Sequence, residues 1–234
     1  MSAQGAEMTA PVLDARLSAA ASYVRSGGVC ADIGCDHGKL CAYLAASGTC
    51  KGVIACDVKA APLERAHQTL ERAGVLHLAQ LRLGDGLSVL TPGEADSIVI
   101  AGMSGVTICM ILQAAPQFWQ SGTRFVFVPA TKHSVLRGFL AESGFELLEE
   151  TPCAAAGKCY TVMAAEYTGV CRNPGLLERA RGKAAQKQTP EAAIYLEHVA
   201  HLCEKYARGV SMEQRPTFLA LAQQIRQEAQ QCRQ

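Results

Sequence analysis

Three aspartates close short apolar runs: Asp32 in VCADI, Asp57 in GVIACD and Asp85 in LRLGD. Asp32 also opens the segment Asp32-Ile33-Gly34-Cys35-Asp36-His37-Gly38, spaced D-x-G-x-x-x-G. Glycine at 34 and 38 lets the backbone approach a ligand closely, and a helix starting just beyond offers free N–H groups. The spacing is not the G-x-G-x-x-G that cradles the pyrophosphate of a dinucleotide. An acidic residue at the head of the loop suits a ligand with a carboxylate and an ammonium but no phosphate, and S-adenosylmethionine has that charge pattern. Asp57, 25 residues after Asp32, can accept both hydroxyls of a ribose. Asp85, flanked by Gly84 and Gly86, can accept a hydrogen bond from an adenine amino group. A fourth run ends in Ala101-Gly102-Met103-Ser104-Gly105, a small-residue loop. Each of these also reads as a turn or helix-entry residue. Set together at the carboxyl ends of consecutive strands, they lie where ligands bind in an open α/β sheet.

The elements that must position them are legible as two periodicities. Runs dense in Val, Ile and Cys predict buried strands at 29–33, 52–57, 81–85, 96–102 and 124–130. Helical spacing fills the intervals at 12–24, 39–47, 59–74, 106–115 and 134–144. Apolar strands alternating with helices imply βαβ units and a parallel sheet covered on both faces. The segments 145–153 and 158–169 then predict an antiparallel hairpin, which makes seven strands in all. From about 170 the strand signal ends. Leu196, Val199, Leu202, Cys203 and Tyr206 form one apolar stripe and Phe218, Leu221, Ile225 and Ala229 another, which fits an antiparallel helical hairpin. Two domains are expected, 1–170 carrying the ligand site and 171–234 a helical extension whose stripes cover each other rather than the sheet.

The chain has 234 residues, 49% hydrophobic and 18% charged, so a packed core is possible and wholesale disorder is excluded. Its net charge of +1 hides an asymmetry: residues 1–171 hold 12 Lys+Arg against 15 Asp+Glu, and residues 172–234 hold 10 against 6. Arg172, Arg179, Arg181, Lys183 and Lys187 crowd the start of the tail, which points to a phosphate-rich partner or to a solvated helix face. The 11 cysteines include no C-x-x-C pair and several sit in apolar runs, so buried free thiols in a reducing cytoplasm are expected. Cys35 and His37 lack a second ligand pair at zinc spacing, and no metal is expected. The N-terminus has no signal-peptide pattern, and no apolar stretch reaches the roughly 18–20 residues of a membrane span.

The combination of L-x-x-RL (Leu13, Arg16, Leu17), ADIGCDHGKL, LGDGL, IVIAGMSG and the late hairpin resembles the bacterial tRNA (adenine-N1)-methyltransferases that modify adenine 22, the TrmK type. The resemblance covers about 13–169. It implies a Rossmann-like class I methyltransferase sheet of seven strands with a C-terminal, coiled-coil-like helical hairpin, S-adenosylmethionine as cofactor and tRNA as substrate. Asp32, Gly34, His37, Asp57, Asp85, Gly86, Ala101, Gly102 and Met103 are then the expected cofactor residues, although His37 can equally stabilise the loop. Arg16, Lys132, Arg179, Arg181, Lys183 and Lys187 are the expected tRNA contacts. Adenine N1 carries a lone pair at neutral pH and a sulfonium is already an activated leaving group, so in-line positioning carries most of the catalysis. Asp36 is the expected catalytic residue, a carboxylate stabilising the developing positive charge, with capping of the next helix as its other reading. The target base must be extruded from its stack. Two departures from the family pattern stand out: Ser104 replaces a glycine after AGM, and Pro129-Ala130-Thr131 follows strand five where the family typically has Gln-Pro-Asn. They leave room for a non-catalytic RNA-binding protein on the same fold. A nicotinamide-dependent oxidoreductase is the other alternative, weakened by the absent glycine fingerprint. A monomer or weak dimer in the cytoplasm, with no membrane contact, completes the expectation.

Overall fold

The structure is a computed structural model and describes residues 8–233. Short apolar runs become β1 (Val29–Ile33), β2 (Gly52–Asp57), β3 (Ala79–Leu83), β4 (Ser97–Ala101) and β5 (Arg124–Val128), all parallel. Long strands β6 (Phe145–Ala155) and β7 (Lys158–Tyr167) form the hairpin, and β7 enters the sheet antiparallel to β5. The order β3-β2-β1-β4-β5-β7-β6 leaves β6 on an edge, where Pro152 deprives no inner neighbour of a ladder bond.

Helices α1 (Ala15–Tyr23), α2 (Lys39–Ala46) and α3 (Ala60–Arg72) cover one face, burying Leu40, Leu44, Leu63 and Leu70 against Val53 and Val99. Helices α4 (Gly105–Gln113) and α5 (His133–Glu142) cover the other, where Ile108, Leu112, Leu136 and Leu140 meet Ile98, Ile100, Phe125 and Phe127. In α3 the buried positions are 63, 66 and 70, the spacing that puts one stripe on the sheet. Asp14 starts α1 by accepting a hydrogen bond from Leu17 N at 3.0 Å.

The tail holds a short helix α6 (Leu176–Arg181), then α7 (Pro190–Ala207) and α8 (Arg215–Gln231), an antiparallel hairpin around Leu196, Val199, Ala222 and Ile225. Its separation from the sheet is less than the sequence implies. Arg137 of α5 and Glu150 of β6, 5% and 0% exposed, form a buried ion pair with Nη2–Oε1 at 2.6 Å. Arg137 also donates to the carbonyls of Arg179 (2.9 Å) and Ala180 (2.7 Å) and to the Tyr195 hydroxyl (2.6 Å). Glu150 accepts from Lys183 N at 2.8 Å. The two apolar stripes do pack on each other, and the tail is also docked on α5 and β6. It supplies four hydrogen-bond partners to a charge pair that is costly to leave unsatisfied.

Candidate active site

The ends of β1 and β4 are neighbours in the sheet, Ile33 beside Ile100, and a cleft of about 260 Å³ opens over them. Asp32, Gly34, Asp36, His37, Ala101 and Gly102, all expected at the ligand, line it together with Asp14, Arg16 and Lys39. Asp32 is 4% exposed, and burial pushes its carboxyl up to about 7. Its hydrogen-bond donor is the Cys41 thiol, 3.9 Å from Oδ2, and among the described residues no cation pairs with it. A buried carboxylate on a cleft wall without its own cation fits a cationic ligand group.

Gly34 adopts φ +78°, and a Cβ there would stand 2.5 Å from the Met103 methyl. The loop folds over β2, with Gly34 N and Cys35 N both donating to Cys56 O at 2.8 and 2.9 Å. Met103 thus packs against the loop instead of lining the cleft. Asp57 follows directly after Cys56. Its Oδ1 accepts from Lys59 N at 3.0 Å, so the turn and ligand readings coexist: one oxygen shapes the entry to α3, and Oδ2 has no hydrogen-bond partner among the described residues. Asp85 and Gly86 lie farther out. Strand β3 ends at Leu83, two residues before the expected end, and exposed Asp85 begins a short 3-10 turn. Neither they nor Asp57 line the cleft.

Asp36 does not cap α2; Gly38 occupies the cap position without a side-chain bond. The Asp36 carboxylate stands at the cleft mouth, 3.3 Å from Arg65 Nη2 and 3.6 Å from His37 Nε2. Arg65 was invisible to motif reasoning because it comes 29 residues later, on α3. Asp14 and Lys39 were missed for a simpler reason: a helix cap and a first-turn lysine carry no chemical spacing. Arg16, expected on tRNA, lies in the cleft, paired with Asp14 at 3.0 Å and 5.3 Å above the Tyr160 ring. Ser104 has a local role: its Oγ accepts from Thr107 N at 3.1 Å and caps α4, which a glycine cannot do.

The remaining tRNA candidates divide. Lys132 is exposed on the rim after β5, with φ 60° and no acidic partner among the described residues. The tail cations do not form the free basic face that was expected. Arg179 binds Glu142, the Pro174 carbonyl and Asn173; Arg181 pairs with Glu228 at 2.8 Å; Lys183 Nζ donates to Leu148 O at 2.9 Å; Lys187 pairs with Glu149 at 2.6 Å. Their partners come from three elements: Glu142 of α5, Glu149 and the Leu148 carbonyl of β6, and Glu228 of α8.

A family profile described as "Methyltransferase domain" matches residues 13–163. The tRNA (adenine(22)-N(1))-methyltransferase of Bacillus subtilis is 33% identical over 215 residues, 86% of this chain and 89% of the relative. The chain belongs to the tRNA (adenine(22)-N(1))-methyltransferase family. Among solved structures, the B. subtilis M1A22 tRNA methyltransferase TrmK superposes with a TM-score of 0.77 at 26% identity, covering 94% of this chain and 98% of that one. A Streptococcus pneumoniae protein solved in complex with S-adenosyl-L-methionine gives 0.81 at 25% identity, covering 93% and 100%. Such coverage reaches well into the helical tail, so the likeness is not confined to the methyltransferase sheet.

Proposed function

We infer that the chain is an S-adenosylmethionine-dependent enzyme that methylates N1 of adenine 22 in tRNA. The observation that carries this is the extent of the match to the B. subtilis enzyme, 33% identity over 86% of the chain, read together with a cleft at the carboxyl edge of β1 and β4. That family match favours methyl transfer over both the nicotinamide and the non-catalytic alternatives.

The residues present fit the cofactor. Buried Asp32 can take its ammonium, Arg16 or Lys39 its carboxylate, and Asp57 Oδ2 a ribose hydroxyl. Gly34, Ala101 and Gly102 keep the backbone low enough for close approach. When bound, the cofactor supplies an electrophilic methyl and departs as a neutral thioether. The protein orients adenine N1 and excludes water, so positioning does most of the work. Asp36, at the mouth, stabilises the positive charge that develops on the methylated ring. Phosphate contacts fall to cations with no acidic partner among the described residues: Lys132 on the rim, and Lys205, Arg208 and Arg215 at the exposed turn of the α7–α8 hairpin, where Glu213 is the one acid between 205 and 215. The reading places the enzyme in the cytoplasm with its substrate, as a monomer or weak dimer. Calorimetry tests the cofactor assignment: S-adenosylhomocysteine binding with no NAD binding is expected, and the reverse removes the methyltransferase reading.

A further inference from the structure

A chain of hydrogen bonds, buried at Arg137 and part-buried at His133, runs from the tail to the segment after β5. His133, the first residue of α5, has Nε2 3.0 Å from the Pro129 carbonyl and Nδ1 3.0 Å from the Tyr195 hydroxyl of α7. A carbonyl only accepts, so Nε2 carries the proton and Nδ1 accepts from Tyr195. The tyrosine oxygen in turn accepts from Arg137 Nη2 at 2.6 Å, and Arg137 is fixed by Glu150 and by two carbonyls of α6. The two rings stack, with centroids 5.7 Å apart and 26° between planes. Burial, reinforced by Arg137, depresses the imidazole to about 4, so the ring stays neutral in this arrangement.

Pro129 belongs to the segment that runs beside the loop after β4. Ala130 N donates to Met103 O at 2.8 Å, Gly105 N donates to Thr131 O at 2.8 Å, and Ser104 and Thr131 pair as an isolated bridge. One side of this segment is thereby tied to the loop after β4, which begins at Gly102; Gly102 and Ala101, the last residue of β4, line the cleft. The other side is tied through His133 to the tail. We propose that His133 is a positioning residue for methyl transfer, its Nε2–H fixing segment 129–132 through the Pro129 carbonyl and so holding the loop after β4 at the cleft. The proposal rests on the methyltransferase reading above for its kinetic consequence, while its structural part stands independently of activity.

Two substitutions separate the ends of the ring. The terminal amide of Gln reaches the place of Nε2 and can still donate to Pro129, whereas that of Asn reaches only the place of Nδ1 and Tyr195. His133→Asn should lower kcat on tRNA about tenfold to a hundredfold, the scale of a small misplacement of reacting groups, with S-adenosylhomocysteine affinity and KM for tRNA within about twofold of the parent. His133→Gln should recover most of that loss. Hydrogen exchange gives the readout that needs no turnover: in the Asn variant the amides of Ala130 and Gly105 should lose protection while those of β4 and β5 keep theirs. Unchanged protection at 130 and 105, or an equal fall in kcat in both variants, overturns the proposal. A parent protein that fails to methylate tRNA, with the exchange result as expected, overturns the function and leaves the positioning intact.

Discussion

Asp32 and Asp36 are four positions apart and sit in opposite surroundings, one buried in the cleft wall and one at the cleft mouth beside Arg65. Two carboxylates with such different environments suit different tasks. Asp32 keeps its proton up to about 7 in the fold, whereas the unfolded residue releases it near 3.8. Folding therefore takes up a proton between those values, so the ligand-free protein loses stability as pH rises through the window, and Asp32→Asn removes that loss. A bound ammonium favours the ionised carboxylate. S-adenosylhomocysteine should accordingly bind up to about tenfold more tightly at pH 8 than at pH 6, with the dependence flat in Asp32→Asn. Calorimetry at both pH values decides it, and an equal pH dependence in parent and variant removes Asp32 from the ammonium site. For Asp36 the demand is different. Asp36→Asn should bind cofactor normally and lose about tenfold or more in single-turnover rate, the scale of one electrostatic contact at a developing charge. A parent-like rate would make the carboxylate a partner of Arg65 and nothing more.

At the scale of elements, the tail is held through close backbone approach at one glycine. Gly182, at φ +57° and ψ −136°, lies over the buried pair: a Cβ there would come within 2.0 Å of Glu150 Oε2 and 2.4 Å of Arg137 Nε. Gly182→Ala should cost about 3 kcal/mol or more, combining an unfavourable backbone conformation with overpacking. Urea denaturation measures it, and a loss below about 1 kcal/mol would show that the tail shifts aside freely. Nothing in the sequence marks this glycine apart from others, because its importance comes from residues 32 and 45 positions away. By contrast β1 and β2 have the bounds their apolar runs predict, since both are interior strands buried along nearly their whole length. Strand β3 is shifted by two residues because it is an edge strand with no fully buried side chain, which blurs its pattern. The cleft was legible where a ligand residue sits in a loop of its own, as in 32–38, and not where it depends on a partner from another helix, as with Arg65 or Asp14.

Across the whole molecule, the charge asymmetry has a different use from the one composition suggested. Arg179 and Lys187 of the tail pair with Glu142 and Glu149 of the body, Arg181 pairs with Glu228 inside the tail, and the cations left for RNA are fewer. Replacing Lys205, Arg208 and Arg215 with Ser should weaken tRNA binding and flatten its salt dependence without changing the melting temperature. Replacing Arg179, Arg181, Lys183 and Lys187 should first lower that temperature, because those side chains hold the tail in place. Equal salt slopes for the hairpin-turn variant and the parent would move the RNA surface elsewhere. The central claim is tested most directly by treating unmodified tRNA with the protein and S-adenosylmethionine, then mapping modified nucleosides by mass spectrometry. 1-Methyladenosine is expected at position 22, with none in a tRNA carrying guanine there; methylation at another position, or no methyl transfer by a protein that binds the cofactor, would contradict the assignment.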